Sequence, residues 1–80
     1  AVNMEQLQEE LKAHLMATNE EFRSLAAQHA EFKRQVDAIE GKAHVTPEDE
    51  LEENRLKKLK LRIKDQMNEM LARYKAQQVG

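Results

Sequence analysis

Arg55, Lys57, Lys58, Lys60, Arg62 and Lys64 place six cations within ten residues, with no acid among them. Such a run has two chemical uses. It neutralises phosphates, as in nucleic-acid binding, or it meets a carboxylate-rich protein surface. It also has a plainer use, which is to solvate and orient one helix of a bundle. Helical spacing divides the run into two rows, Lys57, Lys60 and Lys64 in one and Arg55, Lys58 and Arg62 in the other. Leu56, Leu59 and Ile63 fall between the rows, so the cations flank an apolar seam in the manner of bundle helices. Acids are within reach of several: Glu53 for Lys57, Glu52 for Arg55 and Asp65 for Arg62. The balance favours the solvating reading, with a binding strip for phosphate or an acidic protein as the alternative. Against nucleic acid stand the missing interleaved aromatics, the repulsive acids from Glu48 to Glu53 and a net charge of −2.

The other chemistry-bearing residues are sparse. His14, His29 and His44 are the only histidines. His14 and His29 lie about 22 Å apart along one helix, too far to share an ion within one chain. His29 falls on the apolar seam. There it serves either as a polar residue that sets register or as a half-exposed ring beside Leu25 and Phe32. Ser24 is the only serine, and His29 lies on a different helical face. Carboxylate pairs such as Glu9-Glu10 and Glu20-Glu21 sit on polar faces and suit solvation better than acid–base work. No glycine-rich phosphate loop occurs. The expected catalytic, metal and cofactor sets are therefore all empty.

The elements that must position these residues follow from composition and spacing. The 80 residues allow one domain. Charged residues make up 35% and aromatics 4%, while Gly and Pro total three, a balance that favours long helices. With no cysteine there are no disulfides, which fits a reducing cytoplasm. No apolar run reaches the ~20 residues of a membrane span. Ala1-Val2-Asn3-Met4 lacks the basic and apolar regions of a signal peptide, and Met4 is a candidate natural start.

One strong break appears, from Gly41 to Thr46. Gly41 is placed as a helix terminator in the left-handed conformation. Thr46 caps the next helix, Pro47 takes its first position, and Glu48, Asp49 and Glu50 meet the positive end of its dipole. Upstream, a seam runs through Met4, Leu7, Leu11, Leu15, Thr18, Phe22, Leu25, His29, Phe32, Val36 and Ile39. Its spacing is heptad-like from Leu15 and carries a stutter near Leu11. Thr18-Asn19-Glu20-Glu21-Phe22 also reads as a capping sequence, with Thr18 or Asn19 as the cap and Glu21 able to reach back. The first helix therefore either runs from about Met4 to Glu40 or breaks near Asn19. The lack of Pro or Gly favours one helix with a kink. The second helix runs from about 47 to 76, with Gln77-Gln78-Val79-Gly80 as a loose tail. Its seam is Leu51, Leu56, Leu59, Ile63, Met67, Met70, Leu71 and Tyr74.

A six-residue connection between two long helices predicts an antiparallel hairpin. A turn at Ala43 sets the stretch from Phe22 to Glu31 beside residues 55 to 64. Residues 1–40 carry eight acids and four bases, and residues 41–80 carry seven and nine, so the arms are complementary in charge. The stripe on the second arm, widened by Leu59, Leu61, Met70 and Leu71, suits more than one neighbour. A two-fold dimer forming a helical bundle is the simplest way to supply one.

The strings "EFRSLAAQHAEFKRQVDAIEG" and "DELEENRLKKLKLRIKDQMNEML" resemble the small bacterial YdcH-like proteins, a family of unknown function. The shared features are Phe22, Leu25 and His29 on the first arm, then Leu56, Lys57, Lys58, Lys60, Leu61, Lys64 and Asp65 on the second. The likeness extends from about Met4 to Ala72. It implies a short helical hairpin and no activity. One departure is Glu20, where some members carry Pro, and it argues against an enforced break at Asn19.

The sequence thus predicts an all-α, coiled-coil-like hairpin that dimerises. Its function is expected to be non-enzymatic: a self-associating interaction protein of the cytoplasm that presents charged faces to a protein partner. A nucleic-acid accessory role for the basic strip is the alternative. The oligomer core would comprise Phe22, Leu25, His29, Phe32, Val36, Leu56, Leu59, Ile63, Met67 and Met70.

Overall fold

A computed structural model describes the backbone of residues 4–79 and the side chains of residues 4–77. The proposed start at Met4 and the signal-peptide reading concern residues 1–3, outside that range. Among the described residues three helices follow one another: α1 (Met4–Thr18), α2 (Glu20–Glu40) and α3 (Pro47–Val79). The described residues contain no strand.

The favoured single helix over 4–40 is divided at Asn19. Its backbone is extended, at φ −119° and ψ 111°, and its side-chain oxygen accepts the Phe22 amide at 2.9 Å. That bond satisfies one of the donors orphaned at a helix start. Phe22 thus occupies the third helical position, where Glu21 would have to stand to close a capping box. The expected Glu21 contact is replaced by this simpler cap. Thr18 does not cap; its hydroxyl donates back to the His14 carbonyl at 2.8 Å. Arg23 closes the other side of the break, donating to the Met16 and Ala17 carbonyls at 3.3 Å each. A cation on the terminal carbonyls of α1 satisfies them and suits the negative end of the dipole.

The α2–α3 connection forms as the sequence predicts at its far side. The Asp49 amide donates to the Thr46 hydroxyl and the Thr46 amide donates to the Asp49 carboxylate, both at 3.1 Å. Lys42 adds an ion pair to Asp49 at 2.8 Å. These bonds hold the Asp49 carboxyl below its ordinary range, the Lys42 hydrogen bond first and the Thr46 backbone bond next. Gly41 departs from expectation. It is right-handed, at φ −82°, and its amide donates to the Asp37 carbonyl at 2.9 Å. Any residue adopts that conformation, so positive φ does not explain the glycine.

α2 and α3 lie side by side and run in opposite directions. Val36 and Ile39 share a cluster with Leu56 near the connection, and Phe22 and Leu25 share another with Ile63, Met70 and Leu71. Half-buried Phe32 touches both clusters. The register differs from the expected one by roughly one to two turns. Leu56 meets Val36 and Ile39, not the Phe22–Glu31 stretch. The Lys42 and Thr46 bonds to Asp49 tie the first turn of α3 to the connection, so pairing with α2 begins later along α3. Leu51, counted as seam, consequently faces solvent and is 71% exposed.

α1 turns back over the far end of this pair. Leu11 and Leu15 are buried in the same cluster as Phe22 and Leu71, with Leu7 packed against it. The second neighbour that the wide stripe calls for is therefore α1 of the same chain. The His14 and Tyr74 rings stack at 4.9 Å as α1 crosses α3. α3 also stays helical through Val79, where a loose tail from Gln77 was expected.

Candidate functional site

The ends of the basic run have different surroundings. Near the connection, Arg55 pairs with Glu52, its Nε donating at 3.0 Å. Lys57 reaches Glu53 at 3.0 Å on its own helix and Glu40 at 3.9 Å across on α2. Its ammonium is held above the ordinary lysine range, chiefly by the hydrogen bond to Glu53, then by that carboxylate's charge. These two cations are committed to local structure. The expected Arg62–Asp65 pair does not form, and Lys58 and Arg62 are exposed on the outer side of α3.

One to two turns on, the pattern changes. Lys57, Lys60, Leu61 and Lys64 of α3 line an open depression of about 460 Å³ together with His29 and Lys33 of α2. Lys33 stands four residues after His29, so helical spacing puts both on one face of α2. Among the described residues, Lys33, Lys60 and Lys64 have no carboxylate partner within ion-pair distance. His29 is half-buried, and its imidazole is held below the usual histidine range, by burial first and then by the charges of Lys60, Lys64 and Lys33. Unprotonated imidazole ringed by uncompensated cations creates a local positive potential.

A second groove, of about 280 Å³, adjoins this one and shares His29 and Lys64 with it. Met16, Phe22, Met67 and Leu71 supply its apolar lining, with Lys12 and Asn68 at its edges. The surface thus combines a cationic half with an apolar half. Lys33 and the contribution of α1 escaped the sequence reading. The four-residue spacing from His29 to Lys33 was the available signal for the first. Nothing in the pattern placed Met16 in one groove with Leu71, because that arrangement depends on the break at Asn19.

The seam set divides likewise. Phe22, Leu25, Val36, Leu56, Ile63 and Met70 are buried, while His29, Phe32, Leu59 and Met67 are half-buried. Leu59 belongs to neither buried cluster. Among the described residues, no three His, Asp or Glu side chains gather to hold a metal ion, and no helix is long and apolar enough to cross a membrane.

The model of a family described as a protein of unknown function, DUF465, matches residues 22–71. The chain belongs to that family. The DUF465 match takes in α2, the connection and most of α3, and it contains every residue of the cationic depression. It begins at Phe22, so α1 lies outside it, although the sequence likeness had been carried upstream to Met4. No curated protein and no solved structure matches the chain.

Proposed function

We propose that this DUF465 protein is a non-enzymatic interaction module: a self-associating helical hairpin that presents a cationic surface to an acidic protein partner. The observation that carries the reading is the division of the basic run. Arg55 and Lys57 are already neutralised by Glu52, Glu53 and Glu40, whereas Lys33, Lys60 and Lys64 converge from two helices without a counter-charge. The adjoining groove of Met16, Phe22, Met67 and Leu71 favours a protein ligand over a phosphate backbone. An acidic helix or strand with one apolar side chain would fill both halves, and methionine-rich walls adapt to such a chain. No Phe, Tyr or Trp lines the cationic half for base stacking. The likeness to the YdcH-like proteins supports the same hairpin and adds no activity.

The test compares two probes at physiological salt: a glutamate-rich peptide carrying leucine, and a single-stranded oligonucleotide. Binding of the peptide, lost in Lys60→Glu/Lys64→Glu and kept in Lys58→Glu/Arg62→Glu, is the expected result. Preferential retention of the oligonucleotide, falling steeply as salt rises, would replace this reading with the nucleic-acid one. Equal loss in both double variants would remove the site from consideration.

A further inference from the structure

The junction between α1 and α2 is a single residue wide. Backbone bonds run into it and out of it: the Asn19 amide donates to Leu15 at 2.8 Å and the Arg23 amide donates to the Asn19 carbonyl at 3.1 Å. Only the extended conformation of Asn19 separates two helices whose apolar positions share one seam. Neither Pro nor Gly stands at the break to forbid a continuous rod. What opposes the rod is the Asn19–Phe22 cap and the Arg23 bonds to Met16 and Ala17, and straightening replaces these with the helix's own ladder.

Straightening has a definite consequence. It lifts Leu11 and Leu15 off the cluster that contains Phe22, Met70 and Leu71 and leaves that patch bare. The side chains that fit it are those of an identical α1. We infer that α1 swings at Asn19 and occupies this patch on a second copy, giving a two-fold dimer with exchanged α1 helices. Exchange re-forms the packing of Leu11 and Leu15 on Phe22, Met70 and Leu71, giving up only the hinge bonds, and short hinges favour it. α1 also lies outside the matched family region, as an arm added to the family's own segment would. The inference rests on the proposed self-association and names its surface.

Two substitutions move the equilibrium in opposite directions. Asn19→Ala removes the cap and raises the dimer association constant about fivefold per hinge. Glu20→Pro holds the break: proline suits the first helical position, and the extended backbone of Asn19 is the one a residue before proline prefers. It shifts the protein to monomer. The geometry is read by cross-linking His14→Cys/Tyr74→Cys with a short bis-maleimide, since the chain has no other cysteine and these rings stack at 4.9 Å. Exchange predicts covalent dimers from the dimer fraction and internal links from the monomer fraction. Dimers that carry only internal links would overturn the exchange while sparing self-association. A protein that stays monomeric in light scattering at every concentration, with Asn19→Ala no different, would overturn both.

Discussion

The two ends of the α2–α3 pair are built from one repeating pattern and finished differently. At the connection, Leu56, Val36 and Ile39 make a small cluster, the helix start is capped, and the cations have partners. At the far end seven buried residues from all three helices make a larger cluster, and Lys33, Lys60 and Lys64 of the neighbouring depression have no carboxylate partner among the described residues. A short arm of a bundle is stable where its polar groups are internally matched, and it is available to a ligand where they are not. Under the proposed function, the connection carries structure and the far end carries recognition. The basic run divides in the same way, paired at Arg55 and Lys57 and without carboxylate partners at Lys60 and Lys64 among the described residues.

The most severe challenge to this division is a charge in the larger cluster. Ile63→Asp buries a carboxylate with no cation inside the core and is expected to cost at least ~3 kcal/mol, unfolding the chain in a thermal melt. Leu59→Asp, one turn earlier on a half-buried position outside both clusters, should leave a folded helical protein. If the two melt alike, the clusters are not separate units. Truncation measures the same contrast more gently. Phe22→Ala, at 1% exposure and touching three helices' worth of core, should lose ~3–5 kcal/mol, and Leu56→Ala in the three-residue cluster ~2–4. Denaturant midpoints in the reverse order would place the stability at the connection.

These expectations show which parts of the molecule were legible in sequence. The second helix start was, because Thr46-Pro47 and the acids after it encode a cap through local bonding alone. The cores of α2 and α3 were, because period and burial agree at Phe22, Val36, Leu56 and Ile63. The path of α1 was not. Its seam continues in phase through Thr18, and one Asn side chain decides whether the chain bends. The register was missed for a similar reason: an ion pair between Lys42 and Asp49 depends on loop geometry that spacing does not carry. The site was half legible. Lys60 and Lys64 were visible, whereas their lack of partners is a property of the assembled pair.

A smaller effect tests the connection itself. Thr46→Ala removes the hydroxyl that accepts the Asp49 amide and should cost about 1 kcal/mol, with the rest of the helix intact. At the far end the matching probe is pH. The His29 imidazole titrates below the ordinary value near 6.5 in the folded chain. The unfolded chain therefore binds more protons as pH falls through that value, and stability rises with pH there and falls toward acid. Lys33, Lys60 and Lys64 are the charges that face it. His29→Gln should flatten the stability profile between neutrality and mild acid. A wild-type profile that is already flat there would mean that neither burial nor the lysines hold the imidazole below its ordinary value.

The least disruptive change is also the one that separates solvation from recognition within a single helix. Lys58 is exposed, belongs to neither depression and has no carboxylate partner among the described residues. Lys58→Glu should therefore alter stability by less than ~1 kcal/mol, as for other surface charges. Lys60→Glu, two residues on, places a carboxylate among Lys33, Lys64 and His29. It should leave the fold intact, raise the His29 pKa toward or above its ordinary value, and weaken binding of an acidic peptide. A histidine titration followed by NMR distinguishes the two, since Lys58→Glu should scarcely move His29. If both reversals shift His29 equally, the run acts as one diffuse field and the division between its two ends disappears.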